Sequence, residues 1–144
     1  MKLYSYVIPR DYGFAPNPYF GYCTLATCKP GIRKSAQVGD WIAAYGSARS
    51  SIAQKLVMLM KVGETLSFDE YWTDARFMSK HPVFNKGKIH MYGDNIYHHV
   101  GDRWMQDPSH HSYMDGSINY MNLDRDTKAN RVLIATEFFY FGAN

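Results

Sequence analysis

The sequence predicts a single α+β domain built on a curved or barrel-like, mostly antiparallel sheet with few short helices and long loops. Three observations carry that reading. Short β-prone runs alternate with Pro and Gly turn signals along most of the chain. Only one segment has a well-defined helix start. The length of 144 residues, 46% of them hydrophobic and 20% charged, supports one modest core and excludes a disordered tail.

Residues 3–8 alternate large side chains and read as a first strand ended by Pro9. Residues 11–21 hold Pro16, Pro18, Gly13, Gly21 and Asn17, which rule out regular structure. Tyr12, Phe14, Tyr19 and Phe20 lie in the same loop, so it must pack on something or bind something. Residues 22–28 read as a short strand stopped by Lys29-Pro30-Gly31. The Gly39-Asp40 pair signals a turn before a buried strand from Trp41 to Tyr45. Residues 54–62 read as a second core strand, although their Met and Leu also suit a helix. Ser67-Phe68-Asp69-Glu70 has the form of a capping box and opens a short helix with Phe68, Tyr71 and Trp72 on one face.

From residue 80 to 128 the character changes. All six histidines fall between His81 and His111, among many Asp, Asn, Gly and Ser. So long an irregular stretch is expected to be functional or poorly ordered. Residues 131–141 are strongly β-prone and read as one closing strand. There is no internal repeat, low-complexity tract or linker.

Aromatic residues make up 16% of the chain, and Tyr leads with 12. Tyrosine joins an apolar face to a polar tip, which suits a pocket for a flat, hydrogen-bonding ligand and suits a core equally well. The net charge of +3 permits a nucleic-acid or phosphate partner without demanding one. No apolar run is long enough to span a bilayer, and the N-terminus lacks a signal-peptide core, so the expectation is a soluble, cytoplasmic chain without a membrane partner. Cys23 and Cys28 are expected to be reduced thiols, at least one in the core; as members of one strand they would point to opposite faces.

The densest polar cluster combines residues 92–99 with Ser109-His110-His111-Ser112 and Asp115-Gly116. Histidine beside carboxylate suits general acid–base chemistry or a divalent metal, and equally well a set of turn caps. None of the familiar metal spacings is present, so no residue is assigned to a metal and no cofactor is named. No serine elbow, cysteine nucleophile or glycine-rich phosphate loop is signalled. Arg10, Lys29, Arg33 and Lys34 form the nearest thing to a basic patch, either phosphate-binding or a solvated turn.

At these residues the sequence resembles the nucleotide modification associated domain family of type 2. The matching blocks are residues 10–18, 23–30, 38–41, 92–98, 109–112, 126–127 and 131–134, which span essentially the whole chain. The resemblance implies a bacterial or phage DNA-modification context, without naming a reaction. A weaker similarity links residues 38–45, 56–62 and the following helix to the PUA-like barrels, including the EVE and YTH domains that hold modified bases in aromatic pockets. The chain departs from it at Tyr4-Ser5-Tyr6, where the EVE pattern opens on Trp-Leu.

Three functional readings follow. In the first, a nucleotide or nucleic acid presents a modified base to an aromatic pocket. Its ligand-binding residues would be Tyr12, Phe14, Asn17, Trp41, Asn95, Tyr97 and His111, with Arg10, Lys29 and Arg33 on phosphate. In the second, an enzyme acts on a nucleotide or DNA base, with His110, His98 and Asp94 as catalytic residues. In the third, the chain is a non-catalytic subunit that partners other proteins of a modification system.

Overall fold

In the computed structural model, which describes residues 1–142, nine strands fall into three sheets. The strands are β1 (Leu3–Ile8), β2 (Cys23–Leu25), β3 (Trp41–Gly46), β4 (Leu56–Lys61) and β5 (Glu64–Leu66). They continue with β6 (Tyr97–Val100), β7 (Arg103–Gln106), β8 (Val132–Ala135) and β9 (Glu137–Tyr140). A four-stranded sheet has the order β1-β3-β4-β9, a three-stranded sheet the order β2-β8-β5, and β6 with β7 makes a separate hairpin. Only the β1–β3 pair is parallel among the described residues.

The two larger sheets share one ribbon. Lys61 pairs with Glu137 in the first and Glu64 with Ile134 in the second, so β4–β5 and β8–β9 pass together from one sheet to the other. The Gly63 N–H donates to the Ile134 carbonyl at the bend. The expected closing strand over residues 131–141 is therefore two strands, broken at exposed Thr136. The sheets do not close into a barrel: among the described residues β1 and β9 are the edges of one sheet and β2 and β5 the edges of the next. The molecule is a mixed α/β domain of several sheets.

Strand β8 divides the interior. Its four residues are all buried, and the period of two sends Leu133 and Ala135 into one core while Val132 and Ile134 enter another. The first core lies under the four-stranded sheet with Ile42, Val57, Met58 and Met60. The second gathers Phe14, Phe68, Tyr71, Phe77, Ile96 and Tyr97. A fold buried on both faces of its central strand explains why residues 131–135 read as a continuous apolar run.

Helices are short: α1 (Pro30–Ser35), α2 (Phe68–Thr73), α3 (Lys88–Met91) and α4 (Tyr120–Thr127), with a 3₁₀ turn over Ala75–Lys80. Ser67 and Glu70 cap α2 reciprocally, as the capping-box pattern predicts. Where a turn was expected after residue 29, Pro30 instead starts α1, since its fixed φ suits the first helical position. The stretch from 80 to 128, expected to be irregular, carries α3, the β6–β7 hairpin and α4.

Two long cationic side chains tie these pieces together from inside. Arg33 of α1 is fully buried and donates to the carbonyls of Cys28, Ala129, Arg131 and Asp126 at 2.6–3.1 Å. That clamp fixes the start of α1 against the end of α4. Burial pulls the guanidinium down to about 10. Lys80 is equally buried, and its ammonium donates to the Asn17 carbonyl and side chain and to the Tyr22 carbonyl at 2.7–3.0 Å. It thereby pins the Pro-rich loop to the 3₁₀ turn. Gly93 must be glycine for this join, because a Cβ there would sit 2.2 Å from the Lys80 carbonyl oxygen.

Candidate functional site

Strand β2 ends at Leu25, and the chain then turns sharply. Cys28 and Lys29 both adopt left-handed backbone, with φ of 58° and 43°. Side chains of the L-series resist that region by roughly 1–2 kcal/mol per residue, so neighbouring bonds must hold it. The Cys28 N–H donates to Asp126 Oδ1 at 2.9 Å, and its carbonyl accepts from Arg33 Nε at 2.7 Å. Cys23 and Cys28 are both free thiols; they do not share one strand, because Cys28 lies in the turn. Cys23 is buried beside Met60, whereas Cys28 is half-buried and lines a cleft.

The Cys28 Sγ lies 3.6 Å from His111 Nε2, and His111 Nδ1 lies 2.8 Å from Asp126 Oδ2. Sulfur, imidazole and carboxylate thus stand in series. The carboxylate assigns the proton to Nδ1 and turns Nε2 toward the sulfur. Asp126 has no exposed side-chain surface, and its acceptor capacity is spent. Oδ1 receives the Cys28 N–H and Arg125 Nε, while Oδ2 receives His111 and the Tyr97 hydroxyl at 2.6 Å.

These bonds set the charges. Burial alone would raise the Asp126 carboxyl, but the bonds from His111, Tyr97 and Arg125 prevail and hold it down at about 2. Burial likewise opposes a charged His111, yet its bonds to Asp126 and Cys28 lift the imidazole to about 9. Arg125 Nη2 lies 3.8 Å from the same sulfur. Cys28 therefore faces an imidazole that is cationic at neutral pH and a guanidinium, the electropositive setting in which cysteines act as nucleophiles.

The donor atoms of Cys28, His111 and Asp126 all lie within 4.8 Å of one another, close enough to meet one ion. The hydrogen bonding favours another use. With Asp126 saturated by four donors, only Sγ and Nε2 remain, fewer than the three protein ligands of a typical catalytic zinc site. A nucleophile, a base and an orienting acid describe the arrangement better.

The cleft has a volume of about 310 Å³, within the range of small-molecule sites. Tyr6, Tyr12, Phe14 and His110 line it along with Arg10, Lys29 and Arg125. Tyr12 stacks on Tyr92 with ring centres 5.2 Å apart, and His110 packs against Tyr12, Tyr92 and Phe14. The Phe14 edge also meets the His111 ring at 4.7 Å. Burial, then the neighbouring His111, pushes His110 below the ordinary histidine value. The Tyr6 hydroxyl is buried and has no hydrogen-bond partner among the described residues. A second cavity of about 610 Å³ shares His110 and is rimmed by exposed Phe84, Tyr113 and Met114.

Of the residues singled out from sequence, Arg10, Tyr12, Phe14, Lys29, His110 and His111 come together at this cleft. The others lie elsewhere. Asp94 is buried in the second core, accepting from Thr24 and Tyr71 at 2.6 Å each. Asn95 beside it donates to the carbonyls of Tyr71 and Phe77. Asn17 receives Lys80, and Arg33 is spent on carbonyls. Tyr97 stands behind Asp126 rather than in the cleft. His98 stacks on Trp72 at 4.0 Å and bonds Asp107 at 2.9 Å. Trp41 sits at the start of β3 beneath Lys61, and Asp115 closes a turn onto Ser117. Sequence reasoning passed over Cys28 as a nucleophile and gave Arg125 and Asp126 no role. Their signals in the sequence are a cysteine two residues before a helix-starting proline and the family-matching blocks that hold Cys28 and Asp126.

The model of one family, nucleotide modification associated domain 2, matches residues 1–144, and the chain belongs to that family. No curated protein and no solved structure matches it.

Proposed function

We propose, from membership of the nucleotide modification associated family, that this domain holds a base in the cleft, as a nucleotide or as part of a nucleic acid. One observation carries the reading. A single cavity of about 310 Å³ combines aromatic faces from the residue 6–14 segment and His110 with the cations Arg10, Lys29 and Arg125. Flat rings gain about 1–3 kcal/mol per base by stacking, and cations meet the phosphate. The His110 imidazole, neutral at neutral pH, offers one donor and one acceptor nitrogen for the polar edge of a base.

The test is calorimetric titration with deoxynucleoside monophosphates and short single-stranded DNA. Tyr12→Ala is expected to weaken binding by about 5- to 150-fold, the equivalent of one lost stack. Tyr12 is partly exposed and packs on Tyr92 at the surface, so the variant is expected to keep its fold. Absence of binding by every nucleotide and oligonucleotide would contradict the reading.

A further inference from the structure

We propose that Cys28 is a nucleophile that adds to C6 of a pyrimidine held in the cleft, with His111 carrying the thiol proton and Asp126 orienting His111. The proposal rests on the reading of the cleft as a base site and extends it from binding to covalent chemistry. Its geometry is the series Cys28 Sγ, His111 Nε2 at 3.6 Å, and Asp126 Oδ2 at 2.8 Å from His111 Nδ1. All three positions are fixed from outside the cleft. Arg33 and Asp126 hold the Cys28 backbone, Gln106 and Asn122 hold the His111 carbonyl, and Tyr97 holds Asp126. Pre-organisation of this kind is what nucleophilic catalysis requires.

Two further observations select the electrophile. Acyl transfer at a cysteine generally draws on backbone N–H donors beside the nucleophile to hold a tetrahedral oxyanion. Here the Cys28 N–H is committed to Asp126 Oδ1. The ring-lined walls favour a planar electrophile, and a pyrimidine presents one at C6, conjugated through C5 to the C4 substituent.

The step balances without a co-reactant. The step starts from the thiolate–imidazolium pair, with the proton already on His111 Nε2: the sulfur bonds to C6, and the C5=C6 π pair moves toward the C4 oxygen as an enolate. Arg125, whose Nη2 lies 3.8 Å from the sulfur, adds a guanidinium beside the reacting centre. C5 then accepts a proton from solvent. Loss of the original C5 hydrogen as a proton and expulsion of the thiolate restore the double bond. The net result is exchange of the C5 hydrogen with solvent.

The experiment incubates the full chain with dUMP, dCMP and a short pyrimidine oligonucleotide in D2O and follows C5–H by proton NMR. Intact mass with 5-fluoro-dUMP and calorimetric binding run alongside. Wild type is expected to exchange C5–H and to form the fluorinated adduct. Cys28→Ser is expected to slow exchange at least 100-fold while still binding nucleotide, and His111→Gln to slow it with Cys28 intact. Nucleotide binding with neither exchange nor adduct would overturn covalent addition and leave the base site standing. No binding by any of the three probes would overturn the base site and the pyrimidine chemistry together. Stoichiometric zinc held by wild type and lost in both Cys28→Ser and His111→Gln would replace the nucleophile with a metal centre.

Discussion

The domain contains two buried polar knots, and they respond to burial in opposite ways. One joins Lys80, Asp94, Asn17, Thr24 and Tyr71 beneath the second core. The other joins Cys28, His111, Asp126, Arg125 and Tyr97 at the cleft. In the first, burial prevails, raising Asp94 and lowering Lys80, each toward its neutral form. In the second, hydrogen bonds prevail, lowering Asp126 and raising His111, each toward its charged form. The difference lies in the donors. Asp94 receives two neutral hydroxyls, whereas Asp126 receives an imidazole, a guanidinium, a phenol and a backbone N–H. A knot whose members are all spent on one another holds the fold. A knot that leaves a sulfur and an imidazole nitrogen facing a cavity is equipped to act.

Removing the centre of either knot gives the largest effects. Asp126→Ala strands His111, Arg125 and the Tyr97 hydroxyl, and Lys80→Met leaves the Asn17 carbonyl and side chain and the Tyr22 carbonyl without their donor. Each is expected to cost about 3–5 kcal/mol in urea unfolding, through a broken buried charge pair at Asp126 and three stranded buried acceptors at Lys80. The comparison breaks if one variant is neutral. Gly93→Ala, which drives a methyl group against the Lys80 carbonyl, is expected to destabilise by a smaller but clear margin of about 1–3 kcal/mol.

The opposed charge states separate the knots by pH. Because His111 is raised to about 9 in the fold, its contribution to stability is complete below the ordinary histidine value and fades as pH climbs through 9. Asp126, depressed to about 2, contributes fully above the ordinary carboxylate range and fades as pH falls through 2. Urea unfolding at pH 7 and pH 9.5 is therefore expected to show a loss for wild type that His111→Gln lacks. An equal loss in both proteins would remove His111 as its source.

The smallest effect on stability belongs to the residue with the largest chemical role. Cys28→Ser exchanges sulfur for oxygen at a half-buried position whose backbone contacts remain, so thermal unfolding is expected to change by less than about 1 kcal/mol. A large loss would mean that the thiol is structural.

How much of this was legible beforehand follows the range of the interactions. The first strand, the strand after Gly39-Asp40 and the capped helix at Ser67 depend on neighbours a few residues away, and each is found in its expected segment. The break at Thr136 depends on which sheets the halves join, which no local pattern encodes. The aromatic loop and His110-His111 stood out by composition and do meet at one cleft. Asp94, Asn95 and His98 stood out for the same reason, yet their bonds run to the second core and to Trp72. Cys28, His111 and Asp126 lie on separate segments brought together by the Arg33 clamp, α4 and Gln106 of β7, so no spacing rule could reveal them.

The most direct test of the central claim is differential alkylation of the two thiols by iodoacetamide, read by peptide mass spectrometry. Cys23 is the internal control, buried and pushed up to about 12 by desolvation. The account predicts fast labelling of Cys28 at neutral pH, little at Cys23, slower labelling in His111→Gln, and protection of Cys28 by bound nucleotide. Equal sluggishness of both thiols, with no response to His111→Gln or to nucleotide, would contradict it.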